Sequence, residues 1–309
     1  MGMMRQALLW CSENGWMRRT MPRLWFVHRA VRRFMPGETL AAALAETAVL
    51  NSRSVGAILT QLGESLSDPG AARRVVDHYL EVLGEISRRG MDAVISVKLT
   101  QLGLDFDAAV AREHLTTLVR AAAECGTAVW VDMEQSPLVS PTLEIVHSVR
   151  DDHDNIGVCL QAYLYRSADD LAPLLERRIG VRLVKGAYAE PPRVAYPAKR
   201  DVDENFLTLA GRVLQAPAPA GPLQPAFGTH DLSLIERLRT RARELGVAPG
   251  GYQFQMLYGI RGRDLERLAA EGERVMSLIS YGAAWYPWYL RRLAERPANV
   301  WFVVRSMVR

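Results

Sequence analysis

The chain has 309 residues, 49% hydrophobic and 23% charged, which suits one large α/β domain or two medium ones. Its formal charge of +4 is too small to suggest a nucleic-acid-binding surface, and Cys11, Cys125 and Cys159 lack the spacing of a disulfide framework or a zinc site. No apolar run approaches the ~20 residues of a membrane-spanning helix, and Arg5 and Glu13 bracket too short a stretch for a signal peptide, so a cytoplasmic protein without a metal is expected.

Residues 1–36 read as a short helical arm broken at Pro22. The arm sets Arg5, Arg18, Arg19, Arg23, Arg29, Arg32 and Arg33 against the single acid Glu13. Such a segment suits a solvated arm packed on the domain, or peripheral contact with an anionic membrane surface. Residues 37–309 read as one domain. Thr39 is placed to cap a helix through Leu50, and the apolar run 56–63 is a buried strand.

Helices and strands then alternate. Helices are predicted over 69–89, 107–125, 139–150, 168–179, 203–214, 231–245 and 261–271. Strands are predicted over 93–99, 127–132, 156–161, 181–185, 225–230, 252–255 and 274–279, and the stretch from Trp285 supplies a closing helix. Strand runs this apolar are buried on both faces, as in parallel sheets. Eight strands, each followed by a helix, fit an α/β (β/α)8 barrel better than an open doubly wound sheet, because no Gly-rich dinucleotide fingerprint follows the first strand. The Pro/Ala-rich segment 215–222 is too short to separate domains and reads as a loop before the sixth strand.

In such a barrel the chemistry collects at the C-terminal ends of the strands. Polar groups appear where the apolar runs stop: Lys98, Asp132, Gln161, Arg182 and Lys185 around the fifth, Thr229 and His230, and Gln255. Cations outnumber the single acid Asp132, so the rim favours an anionic ligand. The turn Lys185-Gly186-Ala187 lets backbone approach a ligand closely, and Thr229-His230-Asp231 opens a helix with free N–H groups. Two such elements on one rim suit a dinucleotide pyrophosphate. In the closing stretch Arg291 and Glu295 are helical neighbours with Arg292 beside them, which suits either a solvated surface pair or, since Trp285, Tyr286, Trp288 and Tyr289 offer an apolar wall, a pocket for a small carboxylate.

An ordered set of stretches carries a resemblance over residues 37–305. They are Gly-Glu-Thr-Leu (37–40), Leu-Gly-Glu-Ser (62–65), Ser-Val-Lys-Leu-Thr-Gln-Leu-Gly (96–103), Val-Asp-Met-Glu (131–134) and Gln-Ala-Tyr-Leu (161–164). Arg-Leu-Val-Lys-Gly-Ala-Tyr (182–188), Gly-Thr-His-Asp (228–231), Phe-Gln-Met-Leu-Tyr-Gly (254–259) and Arg-Arg-Leu-Ala-Glu-Arg-Pro (291–297) complete it. The chain resembles the proline dehydrogenases, both stand-alone bacterial enzymes and the corresponding domain of bifunctional proline-utilisation flavoproteins. That resemblance implies an FAD-dependent barrel that oxidises L-proline to Δ1-pyrroline-5-carboxylate and passes electrons to a quinone or other acceptor, with a pyrroline-5-carboxylate dehydrogenase as a pathway partner.

Residue by residue, it implies that Lys98, Arg291 and Arg292 clamp the substrate carboxylate, that Asp132 pairs with these cations, and that Glu295 orients the arginine helix. Arg182 would lie near the reactive flavin nitrogen. Met133, Gln161, Lys185, Gly186, Ala187, Thr229 and His230 would hold FAD, with Gln255 and Leu257 near its ring system. Leu278 and Trp288 stand where the family usually has tyrosines around the substrate ring. Hydroxyproline or another cyclic secondary amino acid is therefore an alternative substrate. A non-catalytic ligand-binding barrel would lack some rim residues, and none of Lys98, Asp132, Arg182, Arg291 or Arg292 is missing.

Overall fold

The computed structural model describes Asn14, residues 34–63, Leu66 and residues 68–286. Most of the expected N-terminal arm, and the expected closing helix beyond Tyr286, lie outside these residues. The elements are α1 (Leu40–Asn51), β1 (Gly56–Gln61), α2 (Pro69–Arg89), β2 (Ala93–Val97), α3 (Ala108–Glu124), β3 (Val129–Val131), α4 (Val139–Arg150) and β4 (Ile156–Gln161). They continue with α5 (Ser167–Glu176), β5 (Gly180–Val184), α6 (Lys199–Gln215), β6 (Ala226–Gly228), α7 (Leu232–Glu244), β7 (Gln253–Leu257), α8 (Gly262–Ala270) and β8 (Arg274–Tyr281). The eight parallel strands close on themselves, with β8 paired to β1, so the fold is the expected (β/α)8 barrel.

Capping side chains fix several helix starts. Thr39 accepts from the Ala42 N–H, Asp68 from Ala71 with Pro69 opening the helix, and Asp107 from Ala109. Gly90 ends α2 in the left-handed region at φ 59°. The start of α6 differs from its predicted position near 203. It begins at Lys199 with Ala198 as an uncapped N-cap, so no polar cap marked it in the sequence.

The two faces of each strand serve different layers. Leu59, Ile95, Val97, Val129 and Val131 join the helices in the outer core. In the opposite phase Ala128, Trp130 and Ala226, with Val94, form a small inner cluster with Leu223. Leu223 comes from the loop ahead of β6 and plugs the floor; a Cβ at Gly157 would lie 2.8 Å from it and 2.6 Å from Trp130. Asp92 and Arg274 pair at 2.5 Å beside the start of β1, on the same side. The barrel is thus filled at one end, and its opposite mouth is where the strands point their C-terminal residues. Among the described residues no helix is long and apolar enough to cross a membrane.

Candidate active site

Lys98 and Asp132 are the first residues past the neighbouring strands β2 and β3, and they stand side by side at the mouth with Nζ 3.2 Å from Oδ2. β2 ends at Val97, earlier than the apolar run through Leu99 suggested, which frees Lys98 from the ladder. Arg182 arrives from the middle of β5 rather than from its end. Its Nη2 donates to Asp132 Oδ1 and, at 3.0 Å, to Ser96 Oγ. Ser96 Oγ in turn donates to Asp132 Oδ1 at 2.8 Å. The guanidinium carbon lies 5.2 Å from the Trp130 ring centre, a cation–π contact within the barrel.

Burial opposes ionisation of Asp132, but the Lys98 and Arg182 charges, with hydrogen bonds from Ser96 and Lys98, hold its carboxyl below the usual carboxylate range. For Arg182 burial also opposes the charge, and Asp132 outweighs it, so the guanidinium is held more firmly protonated than usual. The Cys159 thiol lies beside this pair, pushed up by burial.

Around the rim the loops are tied to one another. Gln161, the last residue of β4, donates to the carbonyl oxygens of Met133 and Glu134 at 3.1 and 3.2 Å. The Glu134 carboxylate accepts from the Thr100 N–H and hydroxyl, joining the loop after β3 to the loop after β2. Glu190, in the loop after β5, accepts from the Ser136 N–H and hydroxyl at 2.7 and 2.6 Å. Gly186 sits at φ 120°, and a Cβ there would overlap the Tyr163 ring, so only glycine fits this close approach.

The expected anion-binding elements are arranged differently from their sequence reading. Lys185 Nζ is held by Asp203 at 2.5 Å and by Asp231 at 3.1 Å, and Lys199 reaches the same two carboxylates. The start of α7 is taken up in part by Asp231, whose side chain accepts from the Leu234 N–H, while Thr229 Oγ1 accepts from the Asp231 N–H. His230 Nε2 accepts from the Leu257 N–H at 2.9 Å, which places any proton of a neutral ring on Nδ1. Sequence reasoning missed Asp203, Ser96 and the Thr100–Glu134 pair, and it read Asp231 only as part of a helix start and not as a partner of Lys185. For Ser96 the strand period offered a signal, since it lies two residues before Lys98 on the same face.

At the mouth itself Val184, Gly228, Leu257 and Leu278 are half-buried, while their strand neighbours are buried. Strand pairing sets them side by side: Val184 with Gly228, and Leu257 with Leu278. Gln255 was expected to close β7 but lies within it, registered with Gly228 and Met276. Both polar atoms of its buried amide, and Gln161 Oε1, lack a hydrogen-bond partner among the described residues. A flat ligand with polar edges would satisfy such atoms. Ala187 is exposed and Met133 buried. Trp288, Arg291, Arg292 and Glu295 lie outside the described residues. Trp285 and Tyr286 are buried, and Trp285 Nε1 donates to Glu38 at 2.8 Å, so this part of the expected aromatic wall packs on the segment before α1.

Comparison with known proteins bears on the family and the fold. The family described as proline dehydrogenase matches residues 43–305. Proline dehydrogenase 2 of Bacillus subtilis (strain 168) is 32% identical over 305 residues, covering 99% of each chain. The proline dehydrogenase of Deinococcus radiodurans is 35% identical over 283 residues, covering 90% of this chain and 89% of its own. Among solved structures, proline utilization A from Bdellovibrio bacteriovorus superposes with a TM-score of 0.81 at 22% identity, over 94% of this chain and 36% of that one. That likeness bears on the fold alone, and the chain spans about a third of that larger protein. The match across most of the sequence, with two relatives above 30% identity, means that this chain belongs to the proline dehydrogenase family.

Proposed function

We propose that this enzyme oxidises L-proline to Δ1-pyrroline-5-carboxylate at the barrel mouth, using FAD. The observation that carries the reading is the Lys98–Asp132–Arg182 constellation, set among partly exposed apolar residues in a chain of this family. Bound FAD would supply the acceptor for the hydride leaving the ring carbon next to nitrogen. Gln161 Oε1 and the Gln255 amide, which lack partners among the described residues, are the groups on this chain that fit such a cofactor, and Met133, Lys185, Gly186, Ala187, Thr229, His230 and Leu257 would help to hold it.

The remaining chemistry is positioning. Two cations and one carboxylate leave Lys98, Asp132 and Arg182 with a surplus positive charge, which a substrate carboxylate would complete. Lys98 carries the exposed part of that charge, its side chain being 28% exposed against 4% for Arg182. Lys98 therefore meets the substrate, and Arg182 stays fixed as a preorganised cation near the redox centre. Arg291 and Arg292 would complete the clamp, with Glu295 orienting them. Glu134, the next acid along the loop from Asp132, has both oxygens engaged by Thr100, so the amine proton is left to solvent.

The half-buried Leu278 supports a second reading, in which a larger or hydroxylated ring such as hydroxyproline is the better substrate. Electrons would pass to a quinone or another acceptor, and a pyrroline-5-carboxylate dehydrogenase would consume the product. A cytoplasmic enzyme touching the inner face of the membrane through its arginine-rich arm suits a quinone acceptor. The test is anaerobic bleaching of the purified protein's flavin spectrum by proline, trans-4-hydroxyproline and pipecolate. Bleaching by proline at the lowest concentration supports the first reading, and faster bleaching by another ring supports the second. A protein that binds no flavin overturns both.

A further inference from the structure

Ser96 is read at first as one more residue in an apolar strand, yet its side chain and its backbone are both committed to the site. Its hydroxyl donates to Asp132 Oδ1 at 2.8 Å and accepts from Arg182 Nη2 at 3.0 Å. A hydroxyl has one hydrogen, and here its direction is fixed: the hydrogen goes to the carboxylate and a lone pair to the guanidinium. The residue is buried, so no bulk water competes for either bond.

The backbone of Ser96 is held from the other side. Tyr79, buried on α2, donates its hydroxyl to the Ser96 carbonyl at 3.0 Å and accepts from the Gln61 N–H at 2.9 Å. The β1–β2 pairing runs only from Ala57–Ala93 to Leu59–Ile95. Beyond it the Tyr79 hydroxyl stands between the two strands and bonds to both. The end of β2 is thereby fixed by a side chain from the helical layer, and the Ser96 hydroxyl is aimed across the interior towards β3 and β5.

We propose that Ser96 is a positioning residue for the reaction, acting through Arg182 and Oδ1 of Asp132. This deepens the proposed function and rests on it, because the importance of the Arg182 position comes from that reading. Asp132 has two oxygens with separate duties. Oδ2 meets Lys98, and Oδ1 is shared by Ser96 and Arg182. Losing the Ser96 hydroxyl loosens the Oδ1 side and leaves the Lys98 side in place. The consequence is a split: turnover falls while apparent substrate affinity holds.

The experiment compares wild type, Ser96→Ala and Ser96→Thr as flavin-loaded proteins, with flavin content and unfolding midpoint measured for each. Ser96→Ala is expected to lower kcat with proline by about tenfold, the scale of one hydrogen bond to a charged group, with KM within about twofold. Ser96→Thr, which keeps the hydroxyl, is expected to recover most of the loss. A second readout is independent of turnover: hydrogen exchange of the Arg182 guanidinium by ¹⁵N NMR, its signal identified by its loss in Arg182→Lys. That exchange should speed up in Ser96→Ala and return towards wild type in Ser96→Thr. Unchanged kcat and unchanged exchange in Ser96→Ala would overturn the proposal, as would equal loss in both variants together with a lowered unfolding midpoint. If wild type does not oxidise proline, the functional reading falls separately, and the guanidinium exchange alone decides whether Ser96 holds Arg182.

Discussion

Asp132 and Glu134 leave β3 two residues apart, and their surroundings pull them in opposite directions. Burial disfavours both carboxylates. At Asp132 the cations Lys98 and Arg182 overcome it and lower the pKa, whereas at Glu134 the hydrogen bonds from Thr100 do not, and the pKa is raised. One loop thus carries a firmly ionised acid inside the site and a more easily protonated one that ties two loops together.

The signs of the two contributions to stability follow. A depressed Asp132 stabilises the fold fully above its unfolded value, about 3.9, and loses that contribution as pH falls through its lower folded value. A raised Glu134 contributes below its unfolded value, about 4.3, and that contribution is lost as pH rises through its folded value. Asp132→Asn is expected to cost about 2 to 3 kcal/mol at pH 7, because it leaves two cations facing each other. The gap to wild type should shrink below about pH 4. Glu134→Gln should gain on wild type as pH rises from about 4 towards 7, since the amide oxygen can still accept from Thr100. Urea unfolding at several pH values checks both, and a pH-independent difference for Asp132→Asn would remove the ion pair from the account.

The two lysines at the β5–α7 corner share the same acids but should not count equally. The Lys185 side chain is 24% exposed and lies between Asp203 and Asp231, whereas that of Lys199 is 73% exposed. Lys199→Ala should change stability by no more than about 0.5 kcal/mol, as solvent screens an exposed pair. Lys185→Ala should cost about 2 kcal/mol, because two partly buried carboxylates lose their main donor. Flavin retention on gel filtration should fall in Lys185→Ala and hold in Lys199→Ala. Equal effects from the two substitutions would show that the corner is merely a solvated charge cluster.

Gly186 separates two costs that glycine usually hides together. Its φ of 120° disfavours any side chain, and a Cβ would also strike the Tyr163 ring. Gly90 has φ 59° and nothing within 4 Å of where a methyl would sit, so it isolates the backbone cost alone. Gly90→Ala should destabilise by about 1 kcal/mol, and Gly186→Ala by about 2 to 4 kcal/mol, because the ring must move as well. Double substitution with Tyr163→Ala should relieve the ring's share of the Gly186→Ala cost and leave the backbone strain of φ 120°, which exceeds that of the left-handed Gly90, measured by the same urea titrations.

The barrel was legible because its strands are short apolar runs at regular spacing, and Lys98, Asp132, Gln161, Lys185 and Thr229 stand out where those runs end. What stayed hidden depends on which distant residues meet. Ser96 looks like an interior strand position until the register shows that it faces Arg182, 86 residues away. Lys185 reads as a free ammonium until Asp203 and Asp231 fold against it. Gln255 looks terminal because it is polar, yet the apolar Met256 and Leu257 carry the strand two residues past it. Strand ends are local signals, and charge compensation across the mouth is a tertiary one.

Leu278 offers the most direct control over the substrate. It lies in β8, registered with Leu257 and Ile58, and is half-buried at the mouth where most of its strand is buried. The resemblance puts a tyrosine at this position in the family, so Leu278→Tyr restores a ring and a hydroxyl beside the proposed substrate. The enlarged side chain fills space that a substituted or six-membered ring would use. The ratio of kcat/KM for proline to that for pipecolate is therefore expected to rise by about tenfold, the scale set by one or two methylene-sized groups in a pocket. Proline turnover itself should change less. Because the side chain points into an open mouth, the unfolding midpoint should hold, which separates a specificity effect from a folding one. A ratio within about twofold of wild type in a stable, flavin-loaded variant would mean that Leu278 does not touch the ring, and the wider-substrate reading would then rest on Trp288 alone.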